Sequence, residues 1–339
     1  MNNTMPSRGL PVVVPEHSSR PTADGVRRPR RPPLGGRLPA PTPGPASPRA
    51  LVVLLCVDLD PALAALRPLG GFSVLRTSRP PSPSGRPGAA VPLVHAYAPA
   101  PAPAPARAPE REHMPERGHE DAAPDGHLPV EPDPLGLRVR KVAAALGAGE
   151  TRVAASVAHQ GLAARLWSVT LACAVLYGAV PDLDPRLLRW DPDAGAPDDL
   201  WLAEVRPLPG DTATVADVVL AAHLAPLTAA VRNRYGVATG LLWGNAASAL
   251  AGAGRELDRW ARREGRADTA AQVRSLTAGL LAHPRLAGTG TLAAAAADLS
   301  FRRRSCCLYY RVPGTGVCGD CCFSRPPGAP RSSPGARSG

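Results

Sequence analysis

The sequence predicts a mainly α protein, α+β with a few short strands, in which a helical body is followed by a C-terminal cysteine loop module. Three observations carry this. Apolar residues recur at helical spacing through most of 136–300, strand-like patterning is confined to short segments, and five of the seven cysteines fall within seventeen residues near the C-terminus.

Residues 1–48 are rich in Pro, Arg, Gly and Ser and keep no period of 2 or 3.6, so they bury too little apolar surface to offset ordering entropy and are expected to form a disordered tail. Residues 49–78 are expected to be a short N-terminal segment of the fold, with 50–57 a buried strand or helix, Pro61 to Leu66 a helical turn and Phe72 to Leu75 a further apolar stretch. A Pro/Ala-rich linker is expected over 79–135, where the Ala-Pro repeat from Ala98 to Pro105 favours polyproline II and His113, His119 and His127 read as solvated.

A helical body is expected over 136–300, in helices at 137–147, 151–160 and 161–178 closed by Pro181 and Pro185. Leu200 to Val205, bounded by Pro197 and Pro207, reads as a strand. Helix resumes over 211–234 with an interruption at Pro226, and over 237–264, where Leu242, Ala246, Ala249, Ala253, Leu257 and Trp260 share a face and Gly265 ends the run. Thr269 and Gln272 suggest a capping box for a helix running to His283, and Ala293 to Ala297 reads as helix leading to the cysteines. The cysteine module is expected at 301–324 and a disordered tail at 325–339.

The net charge of +11 is almost all arginine, Lys141 being the single lysine, and residues 1–50 and 301–339 each carry +6. Charge confined to the ends, with no recognition helix and no basic-aromatic interleaving, argues against a nucleic-acid partner. The apolar run from Leu51 to Val57 is at the bottom of the usual length for an export signal and is separated from Arg27–Arg31 by Pro-rich sequence, so no export signal is expected. Leu166 to Val180, the most apolar stretch on this reading, spans fifteen residues against the roughly twenty a bilayer needs, so it reads as a core helix and no transmembrane segment is expected.

The chemistry lies in Arg302-Arg303-Arg304-Ser305-Cys306-Cys307-Leu308-Tyr309-Tyr310-Arg311 and Cys318-Gly319-Asp320-Cys321-Cys322, spaced C-C-x10-C-x2-C. Soft thiolates in a Gly- and Pro-rich loop suit zinc or an iron-sulfur cluster and disfavour oxygen-preferring metals. Zinc commonly takes two spaced pairs, whereas adjacent cysteines tend to point apart and suit a two-iron cluster better than one tetrahedral ion. A zinc-stapled, non-enzymatic binding module with basic tails is the alternative, and a disulfide framework fits the vicinal thiols poorly.

This module resembles the C-terminal signature of the FhuF family of ferric-siderophore reductases. Less specifically, Arg165-Leu166-Trp167-Ser168 and Leu242-Trp243-Gly244-Asn245-Ala246-Ala247-Ser248-Ala249 resemble that family's helical body, so the likeness runs over about 136–324. The resemblance implies a 2Fe-2S cluster on Cys306, Cys307, Cys318 and Cys321, with Cys322 a departure that either replaces Cys321 or stands spare. It further implies one-electron reduction of siderophore-bound Fe(III), of hydroxamate type, and release of Fe(II) in the cytoplasm. No general acid or base is needed, and with no nucleotide-binding loop in view the electron comes from an external donor such as a ferredoxin or a separate reductase. Arg302, Arg303, Arg304 and Arg311 are candidates to ease cluster reduction or dock an acidic donor, with a solvated run at a helix C-terminus as the plain alternative. Trp167, Trp201, Trp243, Tyr235 and Tyr310 are the aromatic candidates for a siderophore site, although Trp243 and Trp260 sit at core spacing.

Overall fold

The computed structural model describes residues 59–77, 90–99, 133–293 and 299–327. The expectations for the tails, for 50–57 with Cys56, for the linker histidines and for most of the Ala293–Ala297 run lie outside these residues.

Helix α3 (Thr151–Tyr177) is the axis of the fold. It is apolar on all faces, as a helix surrounded by protein must be, and the two helices expected over 151–178 are one continuous element because no residue between them breaks the backbone ladder. Helix α6 (Thr239–Arg263) packs along it, and the indole N–H of Trp167 donates to the Ala246 carbonyl at 3.1 Å, which fixes the two helices in register. Helix α2 (Pro134–Leu146) precedes α3 and begins three residues earlier than expected, because Asp133 caps it by accepting from the Gly136 N–H at 2.8 Å. Helix α7 (Ala267–Leu281) begins at Ala267 without a side-chain cap, so the expected Thr269–Gln272 capping box does not form.

The run expected as one helix with a break at Pro226 comprises α4 (Thr212–Ala216), a π-helix (Asp217–Leu224) and α5 (Ala225–Tyr235). Pro226 has no N–H to donate, and the wider π ladder ahead of it lets the chain continue without a kink-ending break. Thr212–Tyr235 is the one helical run among the described residues long and apolar enough to cross a bilayer, and most of it is buried inside the fold. It takes the place of Leu166 to Val180 as the apolar run to be explained, and its burial gives it the role of a core helix.

The strands are short. In chain order they are β1 (Val91–Pro92), β2 (Ala179–Pro181), β3 (Leu188–Trp190), β4 (Leu200–Leu202), β5 (Pro207–Pro209), β6 (Gly290–Leu292) and β7 (Phe301–Arg303). They pair antiparallel as β1-β3-β4, β2-β5 and β6-β7, with Val91 opposite Trp190 and Leu188 opposite Leu202. The expected strand at Leu200 is thus present, ending at Leu202. Val91 to Tyr97 was expected within the linker and instead belongs to the fold: Leu93 and Ala96 are buried, and the Tyr97 hydroxyl meets His223 Nδ1 at 2.6 Å. The Pro-rich composition hid this stretch, since an edge strand tolerates Pro92.

At the N-terminal end, Pro61 to Leu66 is largely helix, as expected, within α1 (Leu59–Ala65). The chain then turns through Leu69–Ser73, held by Arg165 of α3. The Arg165 guanidinium is buried, pairs with Asp199 at 3.0 Å, and donates to the carbonyls of Gly71, Phe72 and Val74. One buried charge therefore organises three elements, the arrangement that offsets its desolvation.

Candidate metal centre

The hairpin β6-β7 delivers the chain to the cysteines. Side chains alternate across a strand, so Phe301 and Arg303 point inward and Arg302 outward, and the arginine run divides by strand geometry. The helix-terminus reading of that run is thereby corrected: Arg302 and Arg304 are exposed and Arg303 is 2% exposed.

Past Ser305 the chain packs against α3 and α6, Cys307 on Ser156 and Asp320 on Ser248. Leu308, between the cysteine pair and the 3-10 turn Tyr309–Arg311, has φ of 69°, the one positive value at a non-glycine among the described residues. This conformation lets the Leu308 N–H reach Cys306 Sγ at 3.3 Å. At the second pair the Cys321 N–H closes a turn on the Cys318 carbonyl at 3.1 Å, and the Phe323 N–H reaches Cys321 Sγ at 3.4 Å. Cys307 and Cys318, from the two halves of the module, bring their sulfurs to 3.4 Å.

The helical body braces this loop from beneath. The Ser156 hydroxyl donates to the Cys307 carbonyl at 2.8 Å, and Asn245 Nδ2 donates back to the Ser156 hydroxyl and carbonyl at 3.0 and 2.9 Å. Asp320, between Cys318 and Cys321, is buried and accepts from Ser248 at 2.7 Å and Arg255 at 3.1 Å, and its carbonyl receives the Arg303 N–H at 2.9 Å. Gly244 makes the approach possible, because a Cβ there would stand 2.5 Å from Ser305 Oγ and 3.3 Å from an Arg303 nitrogen. Gly244→Ala is expected to cost about 1–3 kcal/mol as overpacking. Thermal unfolding measures this, and adding Ser305→Ala should return part of the loss; an unchanged midpoint for Gly244→Ala would show that the contact has no weight.

Electrostatically the loop sits on one buried positive charge. The Arg303 guanidinium donates to Asn245 Oδ1, to the Leu241 carbonyl at 3.3 Å and to Gln160 Oε1 at 3.4 Å, all neutral acceptors. Among the described residues it has no carboxylate partner, and its Nε has no hydrogen-bond partner at all. Neighbouring His159 is pushed down to about 3 by burial and then by the charge of Arg303, so the imidazole is neutral and adds no positive charge. Cys307, in hydrogen-bond contact with Cys318, is drawn down to about 6, while Cys318 moves upward for the same reason. Cys306 is pushed up to about 11, chiefly by burial and further by the nearby thiols of Cys307, Cys322 and Cys321.

Among the described residues no three His, Cys, Asp or Glu side chains converge on one ion position. The donor chemistry, soft thiols only, fits a thiolate-bound centre, and the closest pair fits two ligands of one metal. Thiolates sharing one tetrahedral centre at about 2.3 Å stand about 3.7 Å apart, close to the Cys307–Cys318 separation of 3.4 Å. Two sulfurs already receive backbone N–H groups, the donors that stabilise cluster thiolates. A buried guanidinium, without a carboxylate partner among the described residues, supplies the counter-charge.

Residues 303–323 match the family model described as the FhuF 2Fe-2S C-terminal domain. The cysteine module is of the FhuF type. That match covers the module and leaves the helical body to the structure; comparison with curated proteins gave no match. Within the FhuF-type module, Cys306, Cys307, Cys318, Cys321 and Cys322 lie together, whereas Cys173 is buried in α3 and pushed up to about 12 by burial, as a core residue would be.

Ser156, Gln160, Ser248, Arg255 and Asp320 support the site without having been singled out from sequence. Asn245, Ser248 and Asp320 do fall inside stretches that carried the resemblance, but their roles depend on which face of α6 meets the loop. The aromatic candidates separate: Trp167 and Trp201 are buried, Trp243 is half-buried beneath Arg285, Tyr235 lines a cavity beside α5, and Tyr310 stands edge-on to Phe323 next to the cysteines.

Proposed function

We propose that the chain is a ferric-siderophore reductase whose C-terminal module holds a 2Fe-2S cluster on Cys306, Cys307, Cys318 and Cys321. The observation that carries this is a set of thiols gathered against a buried arginine lacking a carboxylate partner among the described residues. Such a cluster accepts and delivers one electron at a time, which matches conversion of chelated Fe(III) to the more weakly held Fe(II). The chain's own residues set the conditions: Arg303 offsets negative charge from within, Leu308 and Phe323 direct N–H groups at two sulfurs, and Ser156, Asn245 and Asp320 keep the loop seated. The electron comes from an external one-electron donor, a ferredoxin or a separate reductase. The cytoplasm, where thiols stay reduced, is the compartment assigned to the reaction.

The test is reduction of a ferric hydroxamate by anaerobic protein that has been pre-reduced with dithionite and desalted, with Fe(II) trapped by a chromogenic chelator. Close to one Fe(II) per reduced chain is expected. No Fe(II) from protein shown to be reduced would overturn the reductase reading.

A further inference from the structure

A cleft of about 390 Å³, set between the Leu69–Ser73 turn, α3 and α6, is reached by the cysteine loop through Asp320. Its volume falls within the range of small-molecule sites. Four of its lining residues are also parts of the metal centre's frame: Asp320 lies between Cys318 and Cys321, Ser248 and Arg255 donate to it, and Gln160 receives Arg303. The larger cavity, of about 650 Å³ beside Tyr235 and Asn233, has no cysteine-module residue in its lining.

The walls of the smaller cleft are of two kinds. Phe72 is 48% exposed and a Cβ built at neighbouring Gly70 meets nothing within 4 Å, so the turn side offers an aromatic face on an open surface. The other side carries donors. Arg255 uses its terminal nitrogens on Asp320 and the Leu299 carbonyl, leaving further N–H groups of its five, and Ser168, Ser248 and Gln160 line the cleft beside it. A ligand with an oxygen-rich centre and an apolar periphery meets both walls.

We propose that this cleft is the seat of the ferric chelate, an oxygen-donor complex of hydroxamate type, with Phe72 against its organic periphery and Arg255 directed at its oxygen-bearing face. This rests on the reductase reading above. Consecutive Cα atoms are about 3.8 Å apart, so a chelate against Asp320 lies one residue from Cys321 and no separate electron route is required. The electron step breaks no covalent bond: the external donor is oxidised by one electron and Fe(III) in the cleft is reduced to Fe(II).

Gly252 supplies the blocking variant, because a Cβ built there meets nothing nearer than an Arg255 nitrogen at 3.9 Å. The experiment measures equilibrium dialysis of the redox-inert gallium(III)–desferrioxamine B chelate against full-length holoprotein as wild type, Gly252→Trp and Phe72→Ala, with Asn233→Trp in the other cavity as control. Gly252→Trp is expected to weaken binding at least tenfold and Phe72→Ala severalfold, with the visible spectrum unchanged and Asn233→Trp binding like wild type. Undiminished binding by Gly252→Trp, loss confined to Asn233→Trp, or no binding by wild type would each overturn the cleft assignment. The same proteins, pre-reduced, are tested for Fe(II) release from ferrioxamine B. Wild-type release with an unaffected Gly252→Trp rate leaves the reductase reading standing while the cleft fails; no release from any reduced protein defeats that reading itself.

Discussion

Arg303→Gln is expected to lower the midpoint potential of the module's cluster by roughly 90 mV, while Arg302→Gln and Arg304→Gln shift it far less. A unit charge several ångströms away in a medium of effective dielectric about 20 contributes on the order of 2 kcal/mol, and for one electron about 59 mV corresponds to tenfold in equilibrium. Arg303 is buried and has no carboxylate partner among the described residues, whereas Arg302 and Arg304 are exposed to solvent that screens them. A purely structural Arg303 predicts something different: lost stability with the potential unmoved. Thermal unfolding of both forms separates the cases. In the apoprotein Arg303 is a buried charge with incomplete compensation, so the stabilisation gained on loading the cluster should shrink in Arg303→Gln. A potential unchanged within about 20 mV would contradict the counter-charge role.

The second large effect concerns the choice between neighbouring thiols. Cys321→Ser is expected to abolish cluster binding, with iron content falling by more than about tenfold, whereas Cys322→Ser should keep both iron and spectrum. Cys321 Sγ receives the Phe323 N–H at 3.4 Å, matching the 3.3 Å bond from Leu308 to Cys306 in the first half of the loop. At Cys322 the backbone carbonyl accepts from Arg302 at 3.1 Å, and the thiol is pushed upward chiefly by burial and further by its contact with the neighbouring Cys321 thiol. Retained iron in Cys321→Ser together with loss in Cys322→Ser would assign the ligand role the other way.

The cysteine module was legible from the sequence because its chemistry is local: five thiols within seventeen residues need no tertiary contact to be noticed. The helices were legible where an apolar face recurs clearly, as in α6, whereas the π-helix within 212–235 left no such mark. What surrounds the thiols was not, since it depends on strand alternation and helix docking. Arg302, Arg303 and Arg304 are indistinguishable in composition, and only the pairing of β7 with β6, Arg303 opposite Gly290, turns the middle one inward. Asp320 looks like a turn residue until Ser248 and Arg255 are found on the face of α6 beneath it. Val91 to Tyr97 shows the opposite failure, where linker-like composition concealed a short paired segment whose buried Leu93 and Ala96 are too few to make a period.

The most direct test of the account is elemental and spectroscopic. Anaerobically purified protein should contain about two iron and two acid-labile sulfide per chain, absorb in the visible, and give an S = 1/2 EPR signal on dithionite reduction. A colourless protein holding one zinc and no sulfide would contradict it.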